Sequence, residues 1–372
     1  MRAAKPSNSA APRSAVEGIR RMRPHVLALA VLSLVSPGAR AQRLSKTDYQ
    51  QIVALIDRGN LAQAELRLEE GLKNDPDSLN RLRLLGSLYR RQEKFLPAET
   101  ILEKAVHLSH NKDAQAIHLL AAVKFELGER KEALQLAAEV AALVAKDSRA
   151  LYSVGRLLRE NAAPSEAVPV FEKANRLAPS NSAITAELIL AYLDAKRIPQ
   201  ADALLKPLLK SAPFGDLMQA GARFGEAGQF AVARRAFERA AGLQPSSHGA
   251  LFNLAFALYR QGQAAAALTA LERIDASAVS TQADYLHFQA KIELALKNEP
   301  AAFALFQKAL SHEPDNESLC VELGLLYFSH ETFPKALEVL EPCAGRLADS
   351  PSVLTALALT YLELGRYQDA IS

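Results

Sequence analysis

Three histidines, His107, His110 and His118, form the densest group of metal-ligating side chains in this chain of 372 residues. A zinc site would require the three rings to converge, each oriented by a further hydrogen-bond partner. The simpler interpretation is that these histidines end a helix and line a surface turn. We therefore expect no metal site at this cluster.

Local motifs of nucleophilic, phosphate-binding or metal-dependent enzymes are missing from the sequence. It has no glycine-rich loop ending in Gly-Lys, no His-Glu-x-x-His, no Gly-x-Ser-x-Gly and no Cys-x-x-Cys. Because a repeat accounts for nearly all residues after the N-terminal segment, no room is left for a separate catalytic domain. We expect a protein that is not an enzyme and that uses no cofactor.

An alanine recurs about every 34 residues, and this period predicts the secondary-structure elements of the chain. A period of this length around a fixed small residue is typical of a helical repeat array. The alanines are Ala64, Ala98, Ala133, Ala167, Ala201, Ala233, Ala267, Ala302, Ala336 and Ala370.

Each alanine belongs to a longer pattern of apolar and small residues. In one copy the pattern is Leu82, Leu85, Gly86, Tyr89, Ala98, Leu102 and Ala105; in another it is Cys320, Leu323, Gly324, Tyr327, Ala336, Leu340 and Cys343. Spacings of three and four place these residues on one face of a helix, twice in each copy. Glycines at a shared position, such as Gly128 and Gly228, are suited to the turn between the two helices.

This pattern resembles the tetratricopeptide repeat family over residues 45–372. The resemblance implies an all-α fold, a right-handed superhelical solenoid of about ten helix-turn-helix repeats, in which neighbouring repeats bury a continuous core. Tryptophan, common in the family, is absent from the sequence, and Glu293 replaces the usual tyrosine in the eighth repeat. The last repeat is cut short at Ser372, which allows a fragment of a longer protein as one interpretation.

Both cysteines of the sequence lie in the ninth repeat, Cys320 early in the first helix and Cys343 late in the second. These ends meet in an antiparallel hairpin, so a disulfide could form in an oxidising compartment. Packed helix axes, however, stand about 8–10 Å apart, farther than a disulfide prefers between Cα atoms. Both positions also belong to the core, where free cysteine acts as a small apolar residue, and the two interpretations remain open.

The first 41 residues have the three parts of a secretory signal. A basic region extends to Arg23, an apolar run covers residues 26–35, and Ala39 and Ala41 form a small-x-small cleavage site. The apolar run is about half the length of a membrane span. We predict cleavage after Ala41 and an exported protein without a membrane span after cleavage. The predicted location is the periplasm, and the alternatives are a secreted or an envelope-associated protein.

Charge gives little support for nucleic-acid binding. The formal net charge is +3 for the whole chain, but residues 42–372 contain 37 basic and 40 acidic side chains. A nucleic-acid-binding surface would need an excess of basic residues. We expect a protein or peptide partner and no nucleic acid.

The resemblance implies that the first helices line a concave surface that binds the partner. Basic side chains occur at the lining positions near the N-terminus, and apolar or aromatic side chains occur farther along. An extended or helical peptide with an acidic segment would suit such a groove. The alternative is that the arginines are simply solvated and that the apolar residues fill the superhelix. The predicted groove residues are Arg83, Arg90, Arg91, Tyr152, Arg156, Arg159, Met218, Phe252, Phe256, Tyr259 and Phe328.

The sequence therefore predicts a non-enzymatic protein-interaction scaffold, with an envelope assembly or export complex as its setting. The alternative is a substrate-docking or regulatory arm of a larger exported enzyme whose catalytic domain lies beyond Ser372. Partner identity and oligomeric state do not follow from the sequence, because the repeat supplies only a generic groove.

Overall fold

The computed structural model describes residues 46–279 and 281–371, and every regular element in these ranges is a helix. Consecutive helices pair into ten helix-turn-helix repeats, which confirms the predicted all-α repeat architecture. The predicted signal segment, residues 1–41, lies outside the described residues. None of the described helices has the length and apolar character needed to cross a membrane.

The chain divides after Ser211 into two compact parts. The N-terminal half contains repeats 1 to 5, with helix pairs α1 (Lys46–Asp57) and α2 (Leu61–Asn74), α3 (Leu79–Arg91) and α4 (Phe95–Leu108), α5 (Ala114–Glu126) and α6 (Arg130–Leu143), α7 (Ser148–Glu160) and α8 (Pro164–Leu177), and α9 (Ser182–Asp194) and α10 (Ile198–Ser211).

The C-terminal half contains repeats 6 to 10. Its helix pairs are α11 (Phe214–Glu226) and α12 (Phe230–Leu243), α13 (His248–Arg260) and α14 (Ala264–Glu272), α16 (Ala283–Ala295) and α17 (Glu299–His312), α18 (Glu317–Ser329) and α19 (Phe333–Arg346), and α20 (Pro351–Glu363) and α21 (Tyr367–Ile371). The short helix α15 (Ala276–Val279) follows α14, which is shorter than the other complete second helices.

Many first helices begin at a side chain that accepts hydrogen bonds from the backbone of the first turn. Asp113 accepts from the N–H groups of Gln115 and Ala116 at 3.0 and 3.1 Å. Asp147 and Asn181 cap α7 and α9 in the same way, and Ser247, Asn316 and Ser350 each accept one such bond. These caps satisfy backbone donors that would otherwise lack partners and fix where each repeat begins.

The turn within each repeat contains one residue with a left-handed backbone. In five repeats this residue is glycine, including the predicted Gly128 and Gly228 with φ of 80° and 73°. The other five repeats place a residue with a side chain at the same position: Glu93, Ala162, Lys196, Lys297 and Glu331, with φ between 53° and 62°. The turn geometry is therefore common to all ten repeats, although glycine is not.

The recurring alanines lie where the two helices of a repeat meet. The first nine of them are at most 2% exposed, and only the last, Ala370, lies outside the buried core. Small residues on the first helix allow the close approach: a Cβ atom added to Gly155 would lie 2.7 Å from the Phe171 ring. The period seen in the sequence is therefore a packing requirement within each repeat.

Hydrogen bonds between a tyrosine and the preceding repeat connect neighbours at a fixed spacing. Tyr89 donates to Glu69 at 2.9 Å, Tyr192 to Glu172 at 2.8 Å and Tyr361 to Glu341 at 2.8 Å. At the atypical eighth repeat, Glu293 occupies this tyrosine position and accepts instead from Asn298 within its own repeat, at 2.9 Å. The hairpin of α16 and α17 forms despite this substitution.

Candidate protein-interaction surface

The basic residues predicted to line the groove near the N-terminus form ion pairs with neighbouring carboxylates. On α3, Arg83 donates to Asp113, the capping residue of α5, at 3.1 Å. Arg90 lies 3.8 Å from Glu126 of α5. Both arginines therefore connect repeat 2 to repeat 3, whereas Arg91 is exposed on α3.

Burial shifts the pKa values of two basic side chains in this region, Arg90 and His118. Burial lowers the pKa of the Arg90 guanidinium from its usual value, an effect opposed by the negative charges of Glu126 and Glu160. Half-buried His118, on α5, has its pKa lowered from 6.5 to about 4 by burial and by the positive charge of Arg90. His118 is consequently neutral at pH 7 and adds no positive charge to this face.

The arginines of α7 are paired in the same manner. Arg156 pairs with Glu160 one turn later on the same helix. Arg159 donates to the fully buried Glu187 at 3.0 Å and to Asp194 at 3.3 Å, both on α9. The Arg159 pairs connect repeats 4 and 5, so removing this side chain would take a cation away from a buried carboxylate.

Tyr152, the aromatic residue predicted for this end of the groove, packs edge-on against Phe171 with ring centroids 6.2 Å apart. The first-helix face of the N-terminal half is therefore a surface of paired charges.

In the C-terminal half, the predicted groove residues Phe252, Phe256 and Tyr259 converge on one ring. They lie on α13, and their ring centroids are 5.2, 5.8 and 5.6 Å from that of Phe288 on α16. Phe288 is 8% exposed, whereas the three α13 rings are only partly buried. We call Phe230, Phe252, Phe256, Tyr259 and Phe288 the aromatic cluster.

A cation borders the aromatic cluster. The Arg260 guanidinium lies 4.3 Å from the centroid of Phe230 and 5.8 Å from that of Phe256. Arg260 itself is exposed, so it combines a stacked planar face with hydrogen-bond donors open to solvent. The cluster therefore offers apolar contact area beside a positive charge.

Sequence reasoning missed two members of the aromatic cluster, Phe230 and Phe288. Phe230 begins a second helix, and Phe288 is one position beyond a lining position on α16. Neither falls at an offset expected to face a partner. The sequence does show that both residues are aromatic, like Phe252 and Phe256. Assigning them to the same cluster, however, requires knowing how the neighbouring helices are rotated against each other.

The remaining predicted groove residues, Met218 and Phe328, are partly buried and lie outside the aromatic cluster. Met218 lies on α11, and Phe328 on α18 packs edge-on against Phe333 at 5.3 Å between centroids. A shallow depression in the same half is lined by Leu325 of α18 and by five residues of α20: Pro351, Ser352, Thr355, Ala356 and Leu359.

Cys320 and Cys343 form a disulfide, with their Cα atoms 6.1 Å apart. This distance lies within the range of protein disulfides. The usual distance between packed helix axes is longer than the Cα distance of a disulfide and therefore spoke against the bond. In the structure, the two residues face each other across the hairpin, so their Cα atoms are closer together than packed helix axes usually are. Both are fully buried, as repeat core positions should be.

The histidine cluster does not converge into a metal site. His107 and His110 are exposed at the end of α4, and His110 has a left-handed backbone with φ of 50°. Among the described residues, no group of three or more histidines, cysteines and carboxylates is arranged to hold a metal ion.

Two family models match the described repeats. A tetratricopeptide repeat model matches residues 158–221 and 226–292, and a model described as anaphase-promoting complex, cyclosome, subunit 3 matches residues 295–372. Together they cover more than half of the chain. The chain is a tetratricopeptide repeat protein.

Three solved structures are among those similar to this chain. A tetratricopeptide repeat protein from Parabacteroides merdae is 20% identical, with 74% of this chain and 98% of that chain covered and a TM-score of 0.41. MamA from Desulfovibrio magneticus is 20% identical, with coverages of 44% and 92% and a TM-score of 0.37. The Cut9–Hcn1 hetero-tetramer of the APC/C is 13% identical, with coverages of 88% and 86% and a TM-score of 0.35. No curated protein matches the chain.

A tetratricopeptide repeat protein is a scaffold for protein–protein interaction, and proteins of this family are generally not catalytic. The partner is therefore a protein.

Proposed function

We propose that this repeat protein binds a peptide segment of its partner at the aromatic cluster. The observation that carries the proposal is the convergence of three partly exposed α13 rings on Phe288, next to the exposed Arg260. Aromatic side chains offer a large contact area at low entropic cost and are often the residues on which binding depends.

The expected ligand is an extended or helical peptide with apolar anchor residues and an acidic residue beside them. The anchors would contact Phe252 and Phe256, and the carboxylate would accept hydrogen bonds from Arg260. The cluster supports this ligand better than the N-terminal arginines do, because Arg83, Arg90, Arg156 and Arg159 already have carboxylate partners. Arg91 is exposed.

A selection from a random peptide library displayed on phage tests this ligand class. Peptides bound by the full chain should be enriched in apolar anchors flanked by acidic residues. Their binding should fall at least tenfold in a Phe252→Ser/Phe256→Ser variant, as expected when central aromatic contacts are lost. Leu243→Ser is the matched control, because Leu243 is 41% exposed on a second helix of the same half.

Circular dichroism would establish that both variants retain their helices. Peptides that bind the aromatic variant and the control equally would place the binding surface elsewhere. The Arg260→Glu variant tests the acidic residue separately: it should weaken acidic peptides and leave peptides with a neutral residue at that position unaffected.

We further propose that the protein is exported and acts in the periplasm, within an envelope assembly or export complex. The support comes from the sequence of residues 1–41, with its basic region, short apolar run and Ala39-x-Ala41 site. Expression of the full chain in a two-membraned bacterium should release a periplasmic product that begins at Gln42. An Ala39→Asp/Ala41→Asp variant should retain the segment, and a wild-type product that stays full-length in the cytoplasm would contradict the proposal.

A further inference from the structure

The disulfide occupies a core position that other repeats fill without a covalent bond. In repeat 2, Leu82 and Ala105 pack against Ala116 at the start of the next repeat. In repeat 9 the equivalent residues are Cys320 and Cys343, and they pack against Val353 of repeat 10. The same three-residue contact is therefore built once from apolar side chains and once around a disulfide.

The disulfide lies in the repeat on which repeat 10 packs. Repeat 9 supports repeat 10, because the first helix of repeat 10, α20, packs against both α19 and α18. Val353 of α20 packs against Cys320 and Cys343 of repeat 9, and Ala356 and Thr360 of the same helix are also buried. In a stack of repeats, stability comes from each repeat and its nearest neighbours, so the order of repeat 10 depends on the order of repeat 9.

A second set of contacts crosses the same junction. Glu317, at the start of α18, accepts a hydrogen bond from the Ser350 hydroxyl at 2.8 Å, and Ser350 in turn caps α20. The disulfide and this bond both fix the surface on which α20 packs. Loss of order in the α18–α19 hairpin would therefore remove the support of repeat 10.

We infer that repeats 9 and 10 form an oxidation-dependent element, ordered when Cys320 and Cys343 are bonded and locally open when they are reduced. The bond forms by thiol–disulfide exchange with a protein or small-molecule disulfide. The Cys320 thiolate attacks that disulfide and releases one thiol; the Cys343 thiolate then attacks the mixed disulfide and releases the second. Two thiols of this chain are oxidised to one disulfide, and one external disulfide is reduced to two thiols.

The dependence on oxidation follows from chain entropy and burial. Closing a loop between the two cysteines removes freedom from the open hairpin and so favours the folded hairpin. Because both sulfur atoms are fully buried, reduction requires opening of the hairpin. The element is therefore stable once oxidised and is expected to assemble in an oxidising compartment.

Hydrogen exchange measured by mass spectrometry on the full chain, with and without a phosphine reductant, tests the inference. Reduction should increase exchange in α18 to α20 on the order of 100-fold, as expected for a loop of this length. Helices α12 and α13, in the same half, should be unaffected. The mass increase after alkylation reports the thiol state in each sample, with two labels expected after reduction and none before.

A Cys320→Leu/Cys343→Ala variant provides the matched control, because it restores the residues found in repeat 2. Its exchange should resemble that of the oxidised protein and should not respond to the reductant. If it fails to fold, the wild-type comparison still decides. Unchanged protection of α18 to α20 in protein carrying two alkyl labels would overturn the inference, as would two free thiols after treatment with oxidised glutathione. Peptide binding at the aromatic cluster has no part in either readout.

Discussion

The clearest residue-scale departure from the sequence pattern is the left-handed turn residue in repeats that lack glycine. Ala162 has a φ of 53°, in a region where a side chain crowds the backbone. An Ala162→Gly substitution removes this crowding but increases the freedom of the unfolded chain. We expect a net stabilisation of about 0.5–1 kcal/mol.

Urea unfolding followed by circular dichroism measures this change. The reciprocal substitution, Gly228→Ala, should destabilise by a similar amount, because φ at Gly228 is 73° and a Cβ atom there meets no neighbouring atom. The added methyl group would make no steric contact. If Gly228→Ala left the free energy of unfolding unchanged, backbone strain could not be the cause of the stability change expected for Ala162→Gly.

At the same scale, His118 makes stability depend on pH. Its pKa is lowered to about 4 in the folded protein from 6.5, chiefly by burial and secondly by the charge of Arg90. The unfolded chain therefore binds a proton at His118 more tightly than the folded protein does. The stability associated with the neutral ring is fully present above pH 6.5 and is lost as the pH falls from 6.5 towards 4.

Between pH 7 and pH 5 the wild-type protein should lose up to about 2 kcal/mol from this residue. Urea melts at the two pH values measure the loss, and a His118→Gln variant should show a correspondingly smaller one. Equal losses in the two proteins would mean that His118 is protonated normally in the fold.

At the scale of the element, the close approach of paired helices depends on small residues. Ala167 is fully buried on α8, and a leucine there would overpack the contact with α7. We expect Ala167→Leu to destabilise by about 1–3 kcal/mol. Ser165→Leu, an exposed change on the same helix, should stay within about 0.5 kcal/mol.

Denaturant titration of both variants distinguishes packing from a general effect of leucine. If Ala167→Leu were as stable as Ser165→Leu, the recurring alanines would not set the helix separation, and the register of the repeat would have to be revised.

At the scale of the molecule, contacts are local in each half. The substantial helix–helix contacts join elements that are adjacent or next-but-one in the chain, as in α7 with α8 and α11 with α12. Stability in such an array is a sum of repeat and nearest-neighbour contributions. Unfolding of the whole chain should therefore be broad and should not follow two-state behaviour.

Hydrogen exchange of the Ala167→Leu variant tests this expectation. Exchange should rise in repeats 3 to 5 and remain at its wild-type level in repeats 7 to 9. A uniform rise along all ten repeats would show instead that the chain unfolds as one cooperative unit.

The sequence by itself determined the helix-turn-helix repeat, its register and the family. These depend on the spacing of small and apolar residues such as Ala98 and Gly86. That spacing determines which residues lie where the two helices of a repeat pack together. The positions of Phe252, Phe256 and Tyr259 on one first helix could be read in the same way, because a single helix has a fixed period.

Only the tertiary structure decided how side chains of different repeats meet. It placed Phe288 among the α13 rings, paired Arg159 with the buried Glu187, and brought the Cα atoms of Cys320 and Cys343 to 6.1 Å. These contacts depend on the rotation and separation of neighbouring helices, which the repeat period does not specify. The same limit explains why the sequence did not reveal the ion pairs of the predicted groove arginines: the carboxylate partners of Arg83, Arg90 and Arg159 come from the following repeat.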